Sequence, residues 1–222
     1  MHYIQQAIIK SLATLDSARY SIIKPKTMES NHFLYHLKQL INANLVVKNS
    51  DGAYSITTHG EAFIDGVSFS NFKVRSQPNV LNLLVVRTTD NRYLLYKRKH
   101  RPFIGLKGFP YGKIHLGSSL AKSCTIELYD STGIKAVFAH RGDVYITIFE
   151  SDILVTHTLF HIHTATVTDK ILAGSASYGQ FSWETVDLDN PDAYFHGFIE
   201  ILELTLPKNK TNRFFQELVY RL

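Results

Sequence analysis

Gly108-Phe109-Pro110-Tyr111-Gly112-Lys113-Ile114-His115-Leu116-Gly117-Ser118-Ser119-Leu120 runs directly into residues 121–132 and closes on Gly133-Ile134. A glycine-spaced loop thus enters one clear helix, expected at 119–131, with strand-like sequence on both sides. Glu127 and Asp130 stand three residues apart in that helix and share a face. Cys124 falls on the side of the helix expected to face the core, where a thiol behaves as a small apolar group.

Upstream, residues 80–87 read as a mostly apolar strand, 88–91 as a turn and 93–98 as the returning strand. The hairpin ends in the basic run Lys97-Arg98-Lys99-His100-Arg101. That run reads equally as a phosphate-ligand contact and as a solvated strand edge whose lysines block aggregation. Downstream, 143–149 and 153–167 are β-rich, and a further helix begins near His196. His157, His161 and His163 lie at even spacing on one strand and share a face. A polar sheet face is the favoured reading for them, because a metal needs convergent ligands. No repeat and no low-complexity segment interrupts the chain.

Further upstream the pattern changes. Residues 68–78 show no clean period and read as a linker. Before them, helices are expected at 3–15, 18–23 (stopped by Pro25) and 31–43. A strand at 45–47, a turn at 49–52, a return strand at 53–56 and a fourth helix from Thr58 follow. In the third helix Phe33, Leu34, Leu37, Leu40 and Ile41 mark one apolar face, with Leu34, Leu37 and Ile41 expected to face the core. Asn31, His32, Tyr35, Lys38 and Gln39 then occupy other faces, open to base edges and phosphates. Lys48 and Asn49 stand at the hairpin tip, within reach of backbone phosphates.

The chain has 222 residues, 45% hydrophobic and 19% charged, which suits one or two packed domains rather than disorder. Its net charge of +5 permits nucleic-acid or nucleotide partners without requiring them. A single cysteine forms neither an internal disulfide nor a cysteine-based zinc site, so a reducing, cytoplasmic setting is expected. No apolar run approaches the roughly 20 residues of a membrane span. The opening residues Met1 to Gln6 lack the basic and apolar regions of a signal peptide.

Two resemblances organise these observations. Phe33-Leu34-Tyr35-His36-Leu37-Lys38-Gln39-Leu40, Asn44-Leu45-Val46 and Tyr54-Ser55-Ile56-Thr57-Thr58-His59-Gly60 together resemble bacterial and archaeal winged helix-turn-helix regulators over about residues 1–66. Such a domain implies double-stranded DNA as partner, although small winged helices also mediate protein contacts. The segment from Gly112 to Ile134 resembles the Nudix box, G-x5-E-x7-R-E-U-x-E-E-x-G-U, where U is a bulky aliphatic residue. Gly112, Glu127, Leu128, Gly133 and Ile134 match it. Ser118 and Ser131 stand at acidic positions, Ile126 at the arginine position, and Asp130 at a glutamate position. The 80–98 hairpin and Phe181-Ser182-Trp183-Glu184 with the helical stretch that follows extend this resemblance over about 79–206.

The resemblances imply an α+β chain. A winged helix-turn-helix at 1–67 and a linker at 68–78 precede a Nudix-like α/β/α sandwich with a mixed sheet at 79–222. Glu127 and Asp130 are expected to hold Mg²⁺ or Mn²⁺ only weakly, with Glu127 the catalytic group of an active enzyme. Glu150, Asp152 and Glu203 are carboxylates available to complete the set. Lys97, Arg98 and Lys113 are the expected contacts to a nucleotide-like small molecule. The leading expectation is a DNA-binding regulator whose Nudix-like domain senses a nucleotide or phosphorylated metabolite, with room for a homodimer. The rivals are a divergent metal-dependent Nudix pyrophosphohydrolase with an accessory winged helix, and a protein-contact scaffold. In one well-known form of the regulators that combine these two domain types, the winged helix follows the Nudix domain; here it precedes it.

Overall fold

The N-terminal part begins with α1 (Tyr3–Leu12), α2 (Tyr20–Ile23) and α3 (Ser30–Asn42). The hairpin β1 (Val46–Lys48) and β2 (Tyr54–Ile56) follows, then α4 (Thr58–Gly66). The computed structural model describes residues 1–69, 71–73, 77–168, 179–209 and 213–222. His2 starts α1 with a reciprocal cap: its Nδ1 accepts from the Ile4 N–H, and its own N–H donates to Gln5 Oε1. Ile4, Ile8, Ile9 and Leu12 form the inward stripe and are fully buried. Each contributes about 1.5–3 kcal/mol by leaving water. The helix ends at Leu12, short of the expected residue 15, because the chain turns to place Ala18 beside Tyr54. Those two residues exchange backbone hydrogen bonds of 2.9 and 2.8 Å.

In α3 the buried face is Phe33, His36, Leu37 and Leu40. Leu34 is exposed and Ile41 half-buried. The stripe is therefore rotated from the one expected through Leu34, Leu37 and Ile41, because Phe33, the bulkier neighbour, takes the core position. The segment from Tyr54 to Gly60 has clear physical roles. Tyr54 and Ile56 are buried, and Thr57 caps α4 by accepting from Gly60 N. A Cβ at Gly60 would stand 2.2 Å from the Leu45 carbonyl oxygen, so only glycine lets the helix start against β1.

The remaining strands form one mixed sheet, ordered β10-β7-β8-β3-β4-β5. Its members are β3 (Asn79–Thr88), β4 (Tyr93–Arg98), β5 (Lys107–Gly108), β6 (Tyr111–Gly112), β7 (Ala139–Glu150), β8 (Ile153–Val167), β9 (Gly179–Glu184) and β10 (Phe214–Arg221). β3 runs parallel to β8, and β10 parallel to β7; the other pairs are antiparallel, with β6 on β3 and β9 on β4. The alternation along β3 sorts two cores. Leu84 and Val86 pack with Cys124 and Leu128 of α5 (Leu120–Thr132). Leu83 and Val85 pack with Phe198, Ile201 and Leu202 of α6 (Phe198–Thr205). Helices thus cover both faces of the sheet. Gly133, at φ 75°, supplies the left-handed cap of α5.

Residues 214–221, to which the sequence analysis assigned no element, form the edge strand β10. The stretch 68–78 is not merely a linker: Phe72 is buried in the core that gathers α1, α3 and α4. Residues 70 and 74–76 of that stretch lie outside the described residues.

Candidate functional site

The box-like segment is arranged around Gly112 and Glu127. A Cβ at Gly112 would come within 2.4 Å of Glu127 Cγ, so the glycine lets α5 lie close over β6. The Glu127 carboxylate is engaged: its Oε1 lies 2.7 Å from His115 Nε2, on the loop before the helix. Ser119 caps α5 through Lys122 N, and Ser123 Oγ accepts from the His115 N–H, which fixes the loop against the helix. Ser131 turns its hydroxyl back onto the Glu127 carbonyl, 2.6 Å away. Asp130 is exposed.

These residues do not fit a multi-metal centre. Ser118 and Ser131 bring no charge, Ile126 offers no guanidinium, and His115 occupies the one box glutamate. Glu150, Asp152 and Glu203 do not repair it. Among the described residues, the one convergent set of three histidine, cysteine or carboxylate ligands is His140, Asp143 and His161. Asp152 is engaged by Arg221 at 3.2 Å.

A cavity of about 860 Å³ lies on the α6 side of the sheet. Its floor is Leu81 and Leu83 of β3, Thr156, Thr158 and Phe160 of β8, and Phe198 and Ile201 of α6. The N-terminal part contributes Thr14, Ile64, Asp65, Val67 and Phe69. The rim is the basic segment Lys97 to Arg101, continuing through Pro102 and Phe103. Of the three residues expected to contact a ligand, Lys97 and Arg98 line the cavity, whereas exposed Lys113 is not part of its lining. Arg98 is held in place, donating from Nη1 to the Tyr111 hydroxyl and from Nε to the His100 carbonyl, both at 3.1 Å. Burial, reinforced by the Arg98 charge, pushes His100 down to about 4, so its ring is neutral at neutral pH. Lys107 is spoken for by Glu184 at 2.6 Å, and this hydrogen bond holds its ammonium above the usual range.

Arg101 joins this rim to the N-terminal part. Its backbone N–H donates to the Ala13 carbonyl at 2.8 Å, its Nη1 to Glu61 Oε1 at 2.5 Å, and its Nη2 to the Asp16 carbonyl at 3.3 Å. Nothing in the local sequence around Arg101 announces partners 40 and 85 residues away.

On α3, Asn31, His32, Tyr35, Lys38 and Gln39 are all exposed, as is Lys48 at the hairpin. Asn49 is half-buried, and its Oδ1 accepts from the Ser55 hydroxyl, so it shapes the turn. His36 is buried, stacks on His2 at 4.1 Å between ring centres and lies 3.3 Å from His32. Burial is the main cause that lowers its pKa below the usual imidazole value, with the neighbouring imidazoles adding to it.

The three strand histidines separate. His157 lies against Tyr145, and His163 is fully buried. His161 meets Asp143 and, through it, His140, a grouping absent from the sequence-based expectations.

No family model matches the chain, and no curated protein matches it. Solved structures do. A MutT protein from Bacillus halodurans aligns with a TM-score of 0.49 at 17% identity, over 64% of this chain and 90% of its own. The Nudix domain of Shewanella oneidensis NrtR, complexed with ADP-ribose, gives 0.47 at 18% identity, over 58% and 86%. Another structure of Shewanella oneidensis NrtR gives 0.45 at 19% identity, over 56% and 59%.

Proposed function

We propose that the chain is a transcriptional regulator in which a winged helix-turn-helix, residues 1–67, binds duplex DNA. A Nudix-like domain, residues 79–222, binds a nucleotide or other phosphorylated metabolite and no longer hydrolyses it efficiently. The winged-helix reading rests on the order α1, bridged Ala18, α2, α3 and hairpin, with the outer face of α3 exposed. The Nudix-like reading rests on the mixed sheet between helices and on the fit of Gly112 against Glu127.

One observation carries the coupling of the two. The cavity is walled by both parts of the chain, and its basic rim ends in Arg101, which is bonded to Ala13, Asp16 and Glu61. Aromatic and aliphatic walls suit a base or sugar, while Lys97 and Arg98 supply charge for phosphate. A ligand that draws Arg98 toward its phosphate shifts the segment holding Arg101, and with it the grip on α1 and α4. A ligand affects DNA affinity only by binding the two arrangements unequally.

The test is fluorescence anisotropy of the full-length chain on genomic duplex fragments, with EDTA present, across a salt series. Residues 1–67 carry six lysines and arginines against five aspartates and glutamates, so few phosphates are neutralised and a shallow salt slope is expected. Lys38→Ala with Lys48→Ala weakens binding to all sequences alike. ADP-ribose and nucleoside diphosphates are the first effectors to try, and Arg98→Ala removes the response to them. Absence of DNA binding even at low salt sinks the proposal in favour of a protein-contact role.

A further inference from the structure

We infer that His140, Asp143 and His161 form a binding site for a single divalent ion of the zinc, cobalt or nickel kind. The site lies on the sheet face that α5 partly covers. Asp143 Oδ1 stands 3.0 Å from His140 Nε2 and 2.6 Å from His161 Nδ1. One nitrogen from each histidine and one carboxylate oxygen all lie within 4.8 Å of one another. Settling of these side chains by about 1 Å places all three near the 2.0–2.2 Å expected around zinc.

The backbone is built to make them converge. Residues three apart on a regular strand point to opposite faces. Between His140 and Gly142 the register of β7 against β8 shifts, with His140 opposite His163 and Asp143 opposite His161. Arg141 is the extra residue, and its buried guanidinium donates to the Asn209 carbonyl, which anchors the bulge. Bulges of this kind re-aim side chains, here bringing His140 and Asp143 onto the same side as His161.

A second observation points to a missing partner. Asn82 sits opposite His161 in the β3–β8 register, one strand further from Asp143. It is fully buried, and neither atom of its amide has a hydrogen-bond partner among the described residues. An orphaned buried amide is destabilising, because it gives up its hydrogen bonds to water without replacement. A water carried on an ion beside His161 is a partner of the right kind, because three protein ligands leave a coordination position open. The neighbouring His163 supports the set by bonding its Nδ1 to the His161 carbonyl. The ligand side chains remain 20–33% exposed, so an ion has a way in. Two imidazoles and one carboxylate favour zinc-like ions over magnesium, which prefers an all-oxygen shell.

The experiment uses untagged, full-length, metal-stripped protein titrated with Co²⁺, read by visible d–d absorption, and with Zn²⁺ in calorimetric competition. One equivalent of each is expected to bind, with cobalt bands of four- or five-coordinate intensity that Zn²⁺ bleaches. Asp143→Asn and His161→Ala each weaken the affinity by more than the roughly 10–100-fold that loss of a supporting residue costs. Glu127→Gln leaves it unchanged, which separates this site from the box. Circular dichroism of both ligand variants confirms that they fold. Absence of stoichiometric binding, or binding that survives both ligand variants, overturns the site and leaves a plain His–Asp–His hydrogen-bond cluster. The DNA measurements contain EDTA, so failure here leaves the regulator reading untouched.

Discussion

The guanidinium of Arg101 and the carboxylate of Glu61 meet at 2.5 Å with side chains only 20% and 10% exposed. Burial raises the Glu61 carboxyl, and the Arg101 hydrogen bond and charge oppose that rise. Removing the arginine strands a buried acid. Arg101→Ala is therefore expected to destabilise the chain by about 2–4 kcal/mol, a Tm fall of roughly 5–10 °C for a chain of this size. Arg101→Met combined with Glu61→Leu recovers most of that loss. A single-variant effect below about 0.5 kcal/mol in denaturant titration refutes the latch.

Gly112→Ala drives a Cβ into Glu127 Cβ and Cγ at 2.6 and 2.4 Å. Relief requires α5 to lift from β6 or Glu127 to swing away from His115. The expected cost is about 1–3 kcal/mol, as for overpacking. Part of it returns when Glu127→Ala is added, because that change removes the Cγ and carboxylate contacts while the Cβ contact at 2.6 Å remains. Equal destabilisation in the single and double variants assigns the strain to the backbone instead.

His100 provides the pH dependence. Its ring titrates near 6.5 when unfolded and at about 4 in the folded chain, chiefly because it is buried. Between those values the unfolded chain binds the proton and the folded chain does not, so acid favours unfolding. The associated stability is complete above pH 6.5 and is lost as the pH falls toward 4. The loss is on the order of 2 kcal/mol after allowance for partial exposure. His100→Gln flattens the urea midpoint between pH 7 and 4.5, and an unchanged slope argues against a buried neutral ring.

Hydrolysis of nucleotide sugars, dinucleotides and nucleoside triphosphates is expected to run at least about 100-fold below the 1 s⁻¹ that marks slow enzymes. The measurement is phosphate release with magnesium and with manganese. Turnover near that rate, abolished by Glu127→Gln, reverses the regulator reading. A variant carrying Ser118→Glu, Ile126→Arg and Ser131→Glu together with His115→Ala restores charge and frees Glu127. A gain of activity there marks the box as the lost centre.

Sequence reading succeeded where information is local. The 93–98 strand and the α5 helix follow from apolar periods bounded by a Thr-Thr-Asp-Asn turn and by Gly133, and both lie within two residues of where they were placed. The exposed set Asn31, His32, Tyr35, Lys38 and Gln39 also followed from helical spacing. It failed where a contact is made by the fold. Leu34 and Phe33 are both apolar, and only packing decides which of them enters the core. The strand β10 is an edge with alternating exposure, including exposed Phe215 and Val219, so its sequence lacks a continuous apolar run. His140 and Asp143 converge only because of a bulge that the sequence His-Arg-Gly-Asp does not announce. The cavity itself is assembled from segments distant in the chain, so only its basic rim was visible beforehand.

The shared wall of that cavity has an evolutionary consequence. Residues 97–101 line the cavity and, through Arg101, are bonded to the N-terminal helices. On the proposed reading, a substitution that altered which metabolite is chosen would also alter how strongly the response is transmitted, and the two traits would not drift apart freely. Lineages that change effector are expected to carry paired changes on α4 or around Asp16, so that selectivity and gain are inherited as one unit.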